Sequence, residues 1–146
     1  MPNVLIIGDT ERSSDLRHHV PLAIVDPFVY AELDGRRIAV VWSIEGDRIA
    51  RVDPGIELIA SETFAADDLI RAGVDLYEIP VRTTVRMVES LGLRRVVVPR
   101  AFPLQQADAL RAAGIELVVD QRFFDDRRRR KSAAELAGIR HASTAA

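Results

Sequence analysis

The chain has 146 residues, 48% of them hydrophobic, enough for one domain with a substantial core and too few for a second large domain beside it. It contains no cysteine, which excludes a disulfide, a thiolate nucleophile and a zinc–thiolate site, and no run approaches the roughly 20 apolar residues that span a bilayer. The net charge of −2 is unevenly placed: residues 1–126 hold 14 Arg against 21 acids (net −7), and residues 127–146 hold five Arg and one Lys against one Glu (net +5).

In chain order, Val4 to Ile7 is a branched apolar run stopped by Gly8 and Asp9, the pattern of a strand buried on both faces. Leu22 to Val25 has the same character and reads as a second short strand. The runs on either side of Asp34-Gly35 predict a hairpin between Phe28 and Trp42, because Asp-Gly accepts positive φ at both central positions of a type I′ turn. Ile44 to Ala50 receives no assignment, and Ile56 to Ala60 reads as a strand. Further on, helices are expected near Ala66 to Gly73 and Val81 to Leu91, then strand Arg94 to Val98, helix Leu104 to Ala113, strand Ile115 to Asp120 and a helix from about Arg122 to Lys131. The two last strands and the helix between them make a right-handed βαβ unit, so a mixed sheet with helices on its faces is expected. Finally, Ser132 followed three residues later by Glu135 is a capping box, which starts a new helix near Ala133 with Leu136 and Ile139 as its apolar stripe.

Arg128, Lys131, Ser132, Glu135, Leu136, Ile139, Arg140 and Ala142 resemble the pattern that joins the N-terminal domain of creatinase, prolidase and Xaa-Pro aminopeptidases to their pita-bread catalytic domain. Upstream, Asp26, Pro27, Phe28, Tyr30, Glu32, Asp34, Gly35 and Arg36 resemble a hairpin found in one branch of bacterial Xaa-Pro peptidases. Where many relatives carry Tyr-Leu-Thr-Gly, this chain has Leu16 to Pro21, LRHHVP, so the surface facing an active site is remodelled. The resemblance implies an α/β fold of the creatinase/prolidase N-terminal type, with a ribonuclease H-like motif. It divides the chain into residues 1–131, the N-terminal domain, and 132–146, the linker and first helix of a catalytic domain that the chain lacks. Arg128, Lys131, Ser132 and Glu135 are then interdomain linker residues.

By the same resemblance, the parent protein is a Xaa-Pro aminopeptidase or dipeptidase. It uses two divalent ions, manganese, cobalt or zinc, held by two Asp, one His and two Glu of the catalytic domain. The ions make a shared water a good nucleophile. This chain is expected to be non-catalytic, to contribute to homodimer contacts, to pack on its own catalytic domain and to shape access for short proline-containing peptides. The alternatives are a non-enzymatic protein-interaction module of a pita-bread-derived protein and the N-terminal domain of a creatinase-type amidinohydrolase. No signal peptide is apparent in MPNVLIIGDTERS, and a cytoplasmic location with no membrane partner is expected.

Four side chains are candidates for a face toward substrate or partner: Arg17, His18, Asp26 and Tyr30. The ordinary readings compete. Adjacent His18 and His19 point in different directions on any regular element, which suits solvated or capping roles and disfavours a shared metal ion. Tyr30 alternates with Phe28 and Glu32, so its ring belongs in the interior with the hydroxyl at one end. Trp42, in register with Ile38 and Val40, reads as core or edge packing, with a rim position beside a neighbouring active site as the alternative. Asp125 and Asp126, next to four arginines, read as helix-start and ion-pair residues. Arg127 to Lys131 reads as a solvated, ion-paired helix face. A nucleic-acid partner is not expected, because the body is acidic and aromatics make up 5% of the chain.

Overall fold

The computed structural model describes residues 1–145. Six strands form one mixed sheet: β1 (Val4–Gly8), β2 (Phe28–Leu33), β3 (Arg36–Val41), β4 (Ile56–Ala60), β5 (Arg95–Val98) and β6 (Glu116–Val119), in the order β4-β3-β2-β1-β5-β6. Antiparallel pairing joins β1 to β2 and β2 to β3, and parallel pairing joins β3–β4, β1–β5 and β5–β6. Strand β2 therefore runs against all five others. The hairpin turns at Asp34 (φ 50°) and Gly35 (φ 81°), both left-handed, as the Asp-Gly pair predicts.

Among the described residues seven α-helices accompany the sheet: α1 (Ser14–His19), α2 (Ser43–Val52), α3 (Asp67–Arg71), α4 (Ile79–Ser90), α5 (Leu104–Ala112), α6 (Gln121–Arg129) and α7 (Ala133–Thr144). Period-two alternation in the central strands builds two cores. On one face Val4, Ile6, Tyr30 and Ala39 pack against Leu16 and Val20 of the α1 region, Ile49 of α2 and Phe124 of α6. On the other, Leu5, Ile7, Val29 and Val40 meet Val88 of α4 and Leu110 of α5. Phe124 is 1% exposed, and its truncation to alanine would cost about 3–5 kcal/mol. No helix among the described residues is long and apolar enough to cross a membrane.

Two local expectations need correction, and one unassigned stretch finds its place. Leu22–Val25 is not a strand, because β1 already pairs on both edges, with β2 and β5. Thr10 holds the segment instead: its hydroxyl accepts the Ile24 N–H at 2.8 Å and its amide donates to the Ile24 carbonyl at 3.1 Å, burying Ile24 and leaving Val25 exposed. The unassigned stretch Ile44–Ala50 lies within α2, which buries Gly46 and Ile49. Trp42 is not core: β3 stops at Val41, the chain turns into α2 with the Trp42 carbonyl accepting from Glu45 and Gly46, and the indole is 65% exposed. Alternation stops assigning faces where the ladder stops.

Candidate functional site

Two features stand at opposite ends of β2. The first is a polar cluster beneath α1 and α6. Because β2 alternates, Glu32 shares the inward face of Phe28 and Tyr30, and a carboxylate there requires partners. Arg127 of α6 supplies them, with Nη1 donating to Oε1 and Nη2 to Oε2, each at 2.8 Å. The Tyr30 hydroxyl donates to Oε1 at 3.0 Å. His19, in the last turn of α1, stacks on Tyr30 with ring centroids 4.9 Å apart and brings Nδ1 to 3.6 Å from Glu32. The Arg127 guanidinium also lies 4.4 Å above the Phe123 ring centroid.

The electrostatics follow from burial. Desolvation pushes His19 down to about 4, against the raising pull of Glu32, so the imidazole is neutral near neutral pH. Burial pushes Glu32 up, but the Arg127 hydrogen bonds and charge outweigh it and hold the carboxyl below its usual range. Burial, reinforced by Glu32, drives the Tyr30 phenol far above its ordinary value. Both Glu32 oxygens are engaged, and the geometry is that of a brace between β2, α1 and α6.

A neighbouring contact ties α7 to this brace. His18 Nδ1 stands 2.8 Å from Glu135 Oε1, while Glu135 Oε2 accepts the Ser132 N–H at 2.7 Å and the Ser132 hydroxyl accepts the Glu135 N–H at 3.1 Å. The capping box predicted at this position is present. Arg128 lies on the same side, with Nε 2.9 Å from Asp15, and also pairs with Asp125. Arg127 and Arg128 thus turn toward the body of the protein, whereas Arg129 pairs with Asp126 in an exposed position and Arg130 and Lys131 face solvent.

The second feature is a groove of about 460 Å³ at the other end of β2, lined by Asp26, Phe28, Trp42, Glu45, Ile79 and Met87 among others. The four candidates do not converge. Asp26 is on this groove, Tyr30 is fully buried in the polar cluster, His18 faces Glu135, and Arg17 is exposed on α1. Sequence reasoning left out Glu32 and Arg127 as a pair. The available signal was a carboxylate in register with two apolar residues on a buried strand, together with a nearby run of arginines. Among the described residues, no three His, Cys, Asp or Glu side chains group as a metal site.

No protein-family model matches the chain, and no curated protein matches it. Among solved structures, the fold is similar to that of a Xaa-Pro aminopeptidase from Streptococcus pyogenes, with a TM-score of 0.54 and 14% identity over 86% of this chain and 83% of that one.

Proposed function

We propose that this chain is the non-catalytic N-terminal domain of a metal-dependent Xaa-Pro aminopeptidase or dipeptidase, contributing to dimer contacts and shaping substrate access. The observation that carries the reading is the fold shared with the Streptococcus pyogenes aminopeptidase across most of the chain. The break between α6 and α7 supports the division at residue 131: α6 ends at Arg129, and Ser132 caps a helix that buries no side chain. In this reading α7 opens the catalytic domain, which would hold the two divalent ions, manganese, cobalt or zinc, and pack against Leu136 and Ile139. A cytoplasmic homodimer acting on short proline-containing peptides completes the proposal.

A non-enzymatic interaction module is the second reading, favoured by an exposed Trp42 at the rim of an apolar groove. A creatinase-type amidinohydrolase differs only in substrate. The reading frame beyond Ala146 separates a metal-dependent hydrolase from the interaction module. Two Asp, one His and two Glu in metal-ligand order support a hydrolase, and a frame that continues without them leaves the interaction module.

A further inference from the structure

The groove lies where the topology of the sheet leaves room for a ligand. Connections leave the parallel neighbours β1 and β5 in opposite directions, and the groove lies beside that point, at the carboxyl ends of β1 and β3 and the amino end of β2. In open α/β sheets ligands occupy the crevice outside the carboxyl ends of strands at such a point. Ile7 at the end of β1, Val41 at the end of β3, Ser61 just after β4 and Gln106 in the first turn of α5 all border the groove. Its volume of about 460 Å³ falls among small-molecule sites, which run from roughly 300 to 1,000 Å³.

Its walls specify the chemistry. Phe28, Ile79, Pro80 and Met87 are apolar. The charged lining residues are Asp26 and Glu45, and no Arg, Lys or His lines the groove. Glu45 is held by Arg48, whose Nη1 lies 2.5 Å away, so its charge is partly compensated and Asp26 is the more available carboxylate. The Ser61 hydroxyl is buried and has no hydrogen-bond partner in the protein, an unmet capacity that a ligand would satisfy. Trp42 presents an indole, the aromatic face that attracts cations most strongly.

We propose that this groove binds a small organic primary amine, its apolar body against Phe28, Ile79 and Met87 and its ammonium between Asp26 and the Trp42 ring. The occupant is a free small molecule, because the carboxylates and the unpartnered hydroxyl border one open groove whose volume matches a ligand of that size. The site belongs to this chain and does not depend on the two-domain reading.

Phenethylamine and its neutral counterpart phenethyl alcohol discriminate, and Trp42, the single tryptophan, is a built-in fluorescence reporter. Titration of the full chain, followed by fluorescence and calorimetry, is expected to give saturable binding of the amine and about tenfold weaker binding of the alcohol. Asp26→Asn is expected to weaken the amine about tenfold and leave the alcohol unchanged. Asp26 is exposed, so the fold should survive, and an unchanged urea midpoint would check this. Equal affinity for amine and alcohol, an unchanged Asp26→Asn protein, or no saturable response overturns the proposal. Binding of a lysine-bearing amphipathic peptide without any binding of phenethylamine also overturns it, and assigns the groove to a protein partner.

Discussion

His18 and Glu135, 117 positions apart in the sequence, meet at 2.8 Å, and the same carboxylate caps the helix it belongs to. One oxygen of Glu135 faces His18 of α1 and the other accepts the Ser132 amide, so the start of α7 is fixed to the α/β body by a single side chain. Helix α7 buries no residue, and Leu136 and Ile139 remain 41% and 51% exposed. A helix of 12 residues is marginal in water without packing, so this contact carries more weight than an ordinary surface pair.

His18→Ala leaves the capping box intact and removes the tie to α1. Amide exchange across residues 133–144 is expected to quicken while the body keeps its protection. Ser132→Ala should cost about 1 kcal/mol of local helix stability and leave the melting temperature of the body nearly unchanged. Equal slowing or quickening of exchange in β1 and α7 would mean that the two segments unfold as one unit.

Breaking the Glu32–Arg127 brace acts on the body itself. Glu32 and Arg127 side chains are 15% and 20% exposed, and removing one partner of such a pair strands the other's charge. Glu32→Ala is expected to cost about 3 kcal/mol in urea unfolding. The paired replacement Glu32→Leu with Arg127→Met should recover much of that loss, since an apolar pair of similar volume leaves no stranded charge. A double variant no more stable than the single one would show that the ion pair itself is required.

Stability should fall with acid through His19. Its folded pKa of about 4 is below the 6.5 of an ordinary histidine in an unfolded chain, so the folded state binds fewer protons than the unfolded state between these values. The contribution is fully present above pH 6.5 and is lost as pH falls toward 4. The depressed Glu32 carboxyl acts in the same direction at lower pH, because its stabilisation is lost as pH falls through its folded value. His19→Phe keeps a ring against Tyr30 and removes the titration, so its urea midpoint should change less between pH 6.5 and 4.5 than that of the parent chain, within the window that His19 sets.

Gly46 offers a stabilising change. It is buried in α2, and a Cβ there would meet Leu58 Cδ1 at 3.7 Å, an ordinary contact. Gly46→Ala should raise stability by roughly 0.5–1 kcal/mol by restricting the unfolded chain. A fall in the urea midpoint would reveal that α2 needs a closer approach to the sheet.

What could be read in the sequence was local. Asp34-Gly35 announced the hairpin, Ser132 and Glu135 announced the capping box, and the alternating strands and helices from Arg94 onward gave the parallel pairing of β5 with β6. Short helices were harder. In α1 the apolar contacts reduce to Leu16 and Val20, one helical turn apart, and Ser13 is a cap without a glutamate three residues on. In α2 a glycine lowers helix propensity, the N-cap residue Trp42 offers no side-chain acceptor, and the carboxylate that accepts the Ser43 N–H comes from Glu62, 19 positions on. Leu22–Val25 carried a strand pattern, but both edges of β1 are taken by β2 and β5, which only the assembled sheet reveals. The four candidate site residues separated for a similar reason: Asp26 and Tyr30 lie four positions apart, but Asp26 precedes β2 and borders the groove, whereas Tyr30 lies within the strand and turns into the buried polar cluster.

Arg17, exposed on α1, is the candidate whose role is least tied to folding. In the two-domain enzyme proposed above, Arg17→Ala is expected to change KM or the preferred peptide length more than it changes the melting temperature. Unaltered kinetics on every peptide length would remove this residue from the access surface.

The most direct measurement places the chain of residues 1–146 beside the product of its whole reading frame, each with manganese, cobalt or zinc, on a short peptide with proline in second position. The chain alone is expected to release no amino-terminal residue, and the whole product to do so in a metal-dependent manner. Hydrolysis by the chain alone, or none by the whole product with any of the three metals, would contradict the two-domain proposal.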